Sequence, residues 1–121
     1  MPDERFRKRE RLRLRADFAR VFSRKFRAGN DVLVVYVVRN GLQWSRLGLS
    51  VGKRVGGAVQ RNYVRRKIRE AFRRAKDRIP GGLDVVCVAQ PGAADSSRDI
   101  ASALPALILR AARAIPDDSR V

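Results

Sequence analysis

The apolar positions change spacing along the chain, and each spacing predicts one kind of element. Phe18, Val21 and Phe22 fall at i, i+3 and i+4, which predicts a short helix over residues 15–24. Nearly continuous runs of apolar and β-branched residues predict buried strands. These runs cover residues 32–39, 46–51 and 83–89.

Two longer helices are predicted in the second half. The first covers residues 58–75 and ends before Pro80, with an apolar stripe. The stripe contains Val64, Ile68, Ala71, Phe72 and Ala75. The second follows a cap at Asp95 or Ser96 and has its own apolar face. That face contains Ile100, Leu104, Leu107, Ile108 and Ala111. Because Pro105 interrupts this pattern, we expect a kink or a late helix start there.

Asn40 and Gly41 separate the first two strands, and this pair favours a β-hairpin turn. We therefore expect these two strands to pair, with small or polar residues beside Tyr36 on one face. In chain order the elements run helix, strand, strand, helix, strand, helix. This order predicts an α/β (α+β) two-layer sandwich with a small mixed sheet. We expect one domain over residues 1–121, with residues 1–13 and 115–121 loosely ordered.

The charge distribution indicates a binding function. The chain has 28 Lys and Arg against 12 Asp and Glu, a formal net charge of +16. Residues 1–27 hold 11 basic and 4 acidic side chains, residues 53–78 hold 11 and 2, and the remainder is neutral overall. A polyanion would relieve this self-repulsion. Nucleic acid is therefore the first partner to consider, and an anionic membrane surface is the second.

The densest basic pattern lies on the helix predicted over residues 58–75. At about 100° per residue, one side collects Asn62, Arg65, Arg66, Arg69 and Arg73. Like charges four residues apart, such as Arg61 and Arg65, destabilise an isolated helix. A solvated face is therefore a poor explanation, whereas planar guanidinium groups suit phosphate oxygens.

Three aromatic residues, Phe18, Phe22 and Tyr36, have two possible roles. They either belong to the core or line a groove for unstacked bases, where stacking contributes about 1–3 kcal/mol per base. Lys53 and Arg54 follow a glycine-rich segment that lacks P-loop spacing, which argues against nucleotide hydrolysis. These two residues either contact phosphates or belong to a plain turn.

Composition excludes several enzyme classes. The absence of histidine removes Ser-His-Asp and Cys-His catalysis and any Cys/His zinc cluster. The single cysteine, Cys87, lies in an apolar run and is predicted to be a buried free thiol in a reducing cytoplasm. Glu70 is expected to form an ion pair with its basic neighbours. The remaining carboxylates are expected at loop or cap positions: Asp84, Asp95 and Asp99. Neither a secretory signal nor a membrane span is expected.

Three separated motifs resemble the bacterial ribonuclease P protein component family. They are residues 17–22, DFARVF; Tyr36 in the first long strand; and residues 47–72, LGLSVGKRVGGAVQRNYVRRKIREAF. The resemblance covers about residues 8–113. It implies a small α/β sandwich with a left-handed βαβ crossover. It also implies an RNA subunit that performs the cleavage and holds most of the Mg²⁺. The protein would bind that RNA and the 5′ leader of precursor tRNA, with no membrane or obligate protein partner.

The resemblance also implies roles for individual residues. The residues expected to bind the RNA subunit are Arg61, Asn62, Tyr63, Arg65, Arg66, Arg69 and Arg73. Those expected to bind the leader are Phe18, Phe22, Tyr36, Lys53 and Arg54. Tyr63 stands where the family has arginine, and Gly57 stands where asparagine is usual.

Two other classes of protein share parts of this pattern. A small ribosomal protein or a general RNA-binding protein would use the same basic helix, and a cleavage assay distinguishes it from the main interpretation. A peripheral membrane protein would need an exposed apolar face beside the basic one. In this chain the predicted core requires the apolar faces.

Overall fold

The computed structural model describes residues 6–95 and 98–116, and it contains seven regular elements. They are α1 (Arg15–Arg24), β1 (Arg27–Gly29), β2 (Leu33–Arg39), β3 (Arg46–Ser50), α2 (Ala58–Arg74), β4 (Leu83–Ala89) and α3 (Ile100–Arg113). The predicted helices and strands are confirmed within a few residues at their ends. The short strand β1 was not predicted, because its Arg-Ala-Gly sequence has no strand-like pattern.

The four strands form one mixed sheet in the order β1-β2-β4-β3. Strand β4 is antiparallel to β2 and parallel to β3. The mixed α+β class predicted from the sequence is confirmed. Helix α2 connects the parallel pair β3 and β4, while the left-handed crossover implied by the resemblance stays a prediction.

The predicted hairpin between β2 and β3 is wrong, because β4 lies between these strands. All but one of the residues of β4 are buried, so the centre of the sheet is its favoured position. Asn40 instead shapes a longer loop: its amide oxygen accepts from the Leu42 N–H, and its amide nitrogen donates to the Trp44 carbonyl. Gly41 takes a φ of 75° in that loop.

The main core lies between one face of the sheet and helices α2 and α3. It joins strand residues such as Val35 and Val85 to Ile68 and Phe72 of α2 and Leu104 of α3. Cys87 is also buried there, which confirms the predicted free thiol. Burial raises the pKa of this thiol to about 12, so the thiol stays protonated and unreactive at neutral pH.

The opposite face of the sheet carries α1. Val21 of α1 packs with Val38 and Val86, whose sequence neighbours Val37 and Val85 belong to the main core. Successive strand residues point to opposite faces, so α1 and α2 lie on different sides of the sheet. Phe18, Phe22 and Tyr36 surround this second cluster and remain half-buried.

The N-terminal segment is held against the sheet, contrary to the expectation of a loose segment over residues 1–13. The Leu12 N–H donates to the Leu47 carbonyl at 2.9 Å, beside the edge strand β3. Buried Glu10 pairs with Lys76, with 2.8 Å between Oε1 and Nζ. The Phe6 ring meets Phe72 edge-on at 5.7 Å. The contact of Leu12 covers an otherwise open sheet edge, and the other two contacts attach the segment to α2 and the turn after it. Residues 1–5 lie outside the described residues.

Helix α3 begins at Ile100 and continues through Pro105, so of the two outcomes expected there the late start is wrong and the kink stays a prediction. The cap is Asp99, whose carboxylate accepts from the Ser102 N–H at 3.0 Å. Asp95 lies in the preceding loop, and Ser96 is outside the described residues. Ile115 is buried at the far end of the helix, so the predicted loose C-terminal segment does not begin there. Residues 117–121 are also outside the described residues.

Candidate nucleic-acid interface

One side of α2 presents the predicted basic face. This face lines an open groove of about 670 Å³ together with Phe6 and Arg11 of the N-terminal segment. The α2 residues in the groove are Asn62, Arg65, Arg66, Arg69, Glu70 and Arg73. Arg65 donates to the Asn62 side-chain oxygen at 3.0 Å, which orients both groups. Glu70 pairs with Arg74 at 3.1 Å, as predicted.

The guanidinium groups in this groove repel one another. Partial desolvation of the guanidinium lowers the pKa of Arg69, and the neighbouring positive charges of Arg11 and Arg65 lower it further. Arg69 remains charged at neutral pH, but its cation is less stable than a free one. A polyanion in the groove would relieve this repulsion.

A second groove, of about 400 Å³, connects the basic face to the aromatic residues. Arg65 and Arg69 line both grooves. In the second groove they are joined by Phe18 of α1 and by Arg11 and Arg13. The basic face of α2 and the ring of Phe18 are therefore parts of one continuous surface.

The aromatic residues form a row across the sheet. The Phe18 and Phe22 ring centroids are 6.5 Å apart, and the Phe22 and Tyr36 centroids are 4.8 Å apart with the rings nearly perpendicular. A Cβ atom on Gly48 would lie 2.6 Å from Phe18 Cζ, so the ring rests against the bare backbone of β3. The rings pack on the second cluster and are only half-buried, and their role in binding unstacked bases stays a prediction.

A buried carboxylate connects α1 to the sheet. Asp84 of β4 is fully buried, so its predicted loop or cap position is wrong. Its carboxylate accepts from Arg46 at 2.6 and 2.8 Å, from Asn40 at 2.9 Å, and from Arg20 of α1. Burial alone would raise the pKa of Asp84, but these hydrogen bonds outweigh it and hold the pKa below the ordinary carboxyl value.

Six of the predicted RNA-contact residues line neither of these two grooves: Phe22, Tyr36, Lys53, Arg54, Arg61 and Tyr63. Lys53 and Arg54 are exposed on a 3₁₀ turn after β3 and do not line the groove that contains Phe18. Arg61 is half-buried, and its Nε is enclosed without a hydrogen-bond partner among the described residues.

Tyr63 occupies another side of α2. It lies beside α3 in a groove separate from the one that holds Arg65 and Arg69. The Arg66 guanidinium and the Lys67 ammonium each lie 5.7 Å from the centre of its ring.

Sequence reasoning missed Arg11 and Arg13, because it treated the N-terminal residues as loosely ordered. The alternation Arg11-Leu12-Arg13 was the available signal, since Leu12 is buried and its neighbours are exposed. A period of two over three residues is too short to predict a docked strand by itself.

Two further features bear on the kind of site. Among the described residues, no group of three His, Cys, Asp or Glu side chains is arranged to hold a metal ion. Within the same residues, no helix has the length and apolar character needed to span a bilayer.

Comparison with known proteins agrees with the resemblance seen in the sequence. The family model for ribonuclease P matches residues 6–112. The ribonuclease P protein component of Thermotoga petrophila is 45% identical over 85 residues, which cover 70% of this chain and 73% of that protein. The one from Clostridioides difficile is 37% identical over 101 residues, which cover 82% and 89%.

Solved structures give the same result. The Staphylococcus aureus RNase P protein superposes with a TM-score of 0.75 at 34% identity, covering 86% of this chain and 95% of that one. The RNase P protein from Thermotoga maritima superposes with a TM-score of 0.69 at 37% identity, covering 83% and 92%. With a matching family model over most of its length and relatives in both sequence and structure, the chain belongs to the ribonuclease P protein component family, which implies a role in tRNA processing.

Proposed function

We propose that this chain is the protein subunit of ribonuclease P. It binds the catalytic RNA and the 5′ leader of precursor tRNA, and so promotes endonucleolytic removal of the leader. The observation that carries this proposal is the second groove, which Phe18 lines together with Arg65 and Arg69. A single surface then contacts both the catalytic RNA and the strand to be removed.

The basic face of α2 is the part that contacts the RNA subunit. Its guanidinium groups stand on a helix whose opposite side is buried, at Val64, Ile68 and Phe72. The cationic groups are therefore held rigidly, and arginine can pair two N–H groups with phosphate oxygens. Arg11, held in place by the docked N-terminal segment, extends this face toward α1.

The aromatic row is the part that contacts the leader. A single-stranded leader has unstacked bases, and each base can stack on a ring for about 1–3 kcal/mol. Phe18, Phe22 and Tyr36 offer half-exposed rings next to Arg27, whose Nη1 lies 3.4 Å from the Tyr36 hydroxyl. A double-stranded acceptor stem does not expose its bases, so this surface favours the leader over the mature tRNA.

The cleavage chemistry in this proposal belongs to the RNA subunit. Mg²⁺ bound mainly by that RNA would supply an activated water and stabilise the leaving oxygen. The protein contributes binding and orientation, and its positive charge lowers the repulsion between two RNA molecules. The reaction takes place in the cytoplasm, in keeping with the single, unpaired thiol of Cys87.

A cleavage assay tests the proposal. The protein is added to a bacterial ribonuclease P RNA and a precursor tRNA at a magnesium concentration at which the RNA alone is nearly inactive. Wild-type protein is expected to restore leader removal. Arg65→Ala/Arg69→Ala is expected to lose most of this gain, because both grooves lose two of the three cations that they share.

The matched control is Arg110→Ala/Arg113→Ala. It removes the same charge from exposed positions of α3 that line neither groove, and it should restore cleavage as wild type does. Absence of any gain with wild-type protein would refute the proposal. Tight RNA binding without a gain would favour a general RNA-binding protein instead.

A further inference from the structure

Another groove lies between α2 and α3, apart from the two grooves that Arg65 and Arg69 share. Its volume is about 690 Å³. Of the residues that line it, only Glu70 also lines the groove of the basic α2 face. Glu70 and Arg74 therefore form a ridge that separates two sides of the same helix.

The groove has an excess of positive charge. Four basic and two acidic residues line it. Both carboxylates are already engaged, because Glu70 pairs with Arg74 and Asp99 caps α3. Arg98 is also engaged, because it forms an ion pair with Asp31. The excess is thus carried by Lys67 and Arg78, which are both exposed.

The two walls of the groove differ in chemistry. The α2 wall carries Lys67, Arg74 and the half-exposed ring of Tyr63, and Arg78 lies in the turn that follows α2. On the α3 wall the exposed side chains are the short ones of Ala101, Ser102 and Ala106, while Ile100 and Pro105 are buried and Leu109 is half-buried. Short side chains leave room for a bulky backbone to approach, and the cations opposite favour a polyanionic one.

We infer that this α2–α3 groove is a second binding surface for a folded RNA, contacting the phosphate backbone through Lys67, Arg74 and Arg78. The inference rests on the proposed function, since it assigns the groove to the same RNA subunit. The positions of Lys67 and Arg69 differ by about 200° around the helix axis, given about 100° per residue. A folded RNA can place separate strands along two sides of one helix, whereas a short single-stranded leader cannot. Helix α2 would then lie between two RNA strands.

The test compares Lys67→Ala/Arg78→Ala with the equally charged control Arg110→Ala/Arg113→Ala. Affinity for ribonuclease P RNA is measured by filter binding over a range of salt concentrations. We expect Lys67→Ala/Arg78→Ala to bind about tenfold more weakly at moderate salt and to lower the salt slope by about two. The control, whose residues lie outside the groove, should match wild type.

A second variant tests the groove without removing a cation. Ala106→Glu places a carboxylate on the exposed α3 wall and should also weaken binding of the RNA subunit. Thermal unfolding of each variant checks that the fold is retained. Wild-type affinity and slope in both groove variants would overturn the inference.

A different pattern of losses also decides the question. If the groove variants bind the RNA subunit normally but lose affinity for precursor tRNA, the groove holds substrate and the inference is wrong. Failure of the proposed function is distinguishable, because wild-type protein would then give no gain in cleavage. If wild-type protein restores leader cleavage and the groove variants bind the RNA subunit as tightly as wild type does, only the α2–α3 inference fails.

Discussion

At the scale of single residues, Gly48 decides how the aromatic row is built. The Phe18 ring occupies the space that a side chain at position 48 would fill, and Leu12 Cβ lies 3.2 Å from the same point. Glycine is therefore required here for a close approach of ring and backbone, rather than for its φ angle. The consequence is that a ring from α1 lies directly on the sheet, beside the cations of α2.

Gly48→Ala is expected to push the Phe18 ring out of the groove. The added methyl group would destabilise the fold by about 1–3 kcal/mol. The affinity for leader-bearing precursor tRNA should fall more than that for mature tRNA, as it should for Phe18→Ala. Binding to both RNAs, measured with the assembled ribonucleoprotein, gives this ratio.

Gly52→Ala is the control for this change. No atom lies within 4 Å of a Cβ built there, and the φ of −91° suits alanine. This variant should bind both RNAs as wild type does. If Gly48→Ala lowered the affinity for precursor tRNA and for mature tRNA equally, the Phe18 ring would act only in the core.

At the scale of elements, Asp84 explains why α1 stays in position. Helix α1 has one buried residue, Val21, so apolar packing alone holds it weakly. The Asp84 carboxylate joins Arg20 of α1 to Arg46 of β3, and Asn40 completes the cluster. Because α1 carries Phe18 and Phe22, this cluster also sets the position of the rings over the sheet.

Asp84→Asn is expected to lower the free energy of unfolding by about 3 kcal/mol, since two partly buried guanidinium groups lose their carboxylate. Chemical denaturation measures the loss. Asp31→Asn is the control: it breaks the exposed pair with Arg98, and such pairs contribute about 1 kcal/mol or less. Similar losses in the two variants would contradict the role given to Asp84.

The same carboxylate predicts a dependence on pH. The pKa of Asp84 is lower in the folded protein than the ordinary carboxyl value. The stabilisation by Asp84 is therefore fully present above the unfolded-state pKa of about 4 and is lost as the pH falls through the folded pKa. The difference in stability between wild type and Asp84→Asn should shrink as the pH is lowered below about 4. A constant difference over this range would show that Asp84 is not charged in the fold.

At the scale of the whole molecule, the two basic blocks of the sequence meet in space. The N-terminal block supplies Arg11 and Arg13, the second block supplies Arg65 and Arg69, and all four line one groove with Phe18. The docked N-terminal segment brings them together across the edge of the sheet. The affinity of RNA for this surface should therefore fall steeply as the salt concentration rises.

The expected measurement is the salt dependence of binding to ribonuclease P RNA. Arg65→Ala and Arg69→Ala should each weaken binding and lower the salt slope by about one. Arg110→Ala, on an exposed position outside the grooves, should leave the slope unchanged. An unchanged slope in Arg65→Ala or Arg69→Ala would remove that residue from the interface.

The sequence by itself determined the elements and the charge of this protein. The spacing of Phe18, Val21 and Phe22 predicted α1, and the stripe with Ile68 and Phe72 predicted α2. These are local patterns, because the side that an element buries follows from its own periodicity. Family motifs in the right order then predicted the function class, and the family is confirmed.

Only the tertiary structure decided which elements are neighbours. Asn40-Gly41 favours a hairpin locally, but the highly apolar β4 takes the central position and separates β2 from β3. From the sequence, Asp84 was predicted at a loop or cap position. In the structure its carboxylate accepts hydrogen bonds from Arg20, Arg46 and Asn40, which are distant in the chain. The same holds for the groove that Phe18 lines with Arg65 and Arg69, and for the position of α3 beside Tyr63. Such features depend on contacts between residues far apart in the chain, which local spacing does not encode.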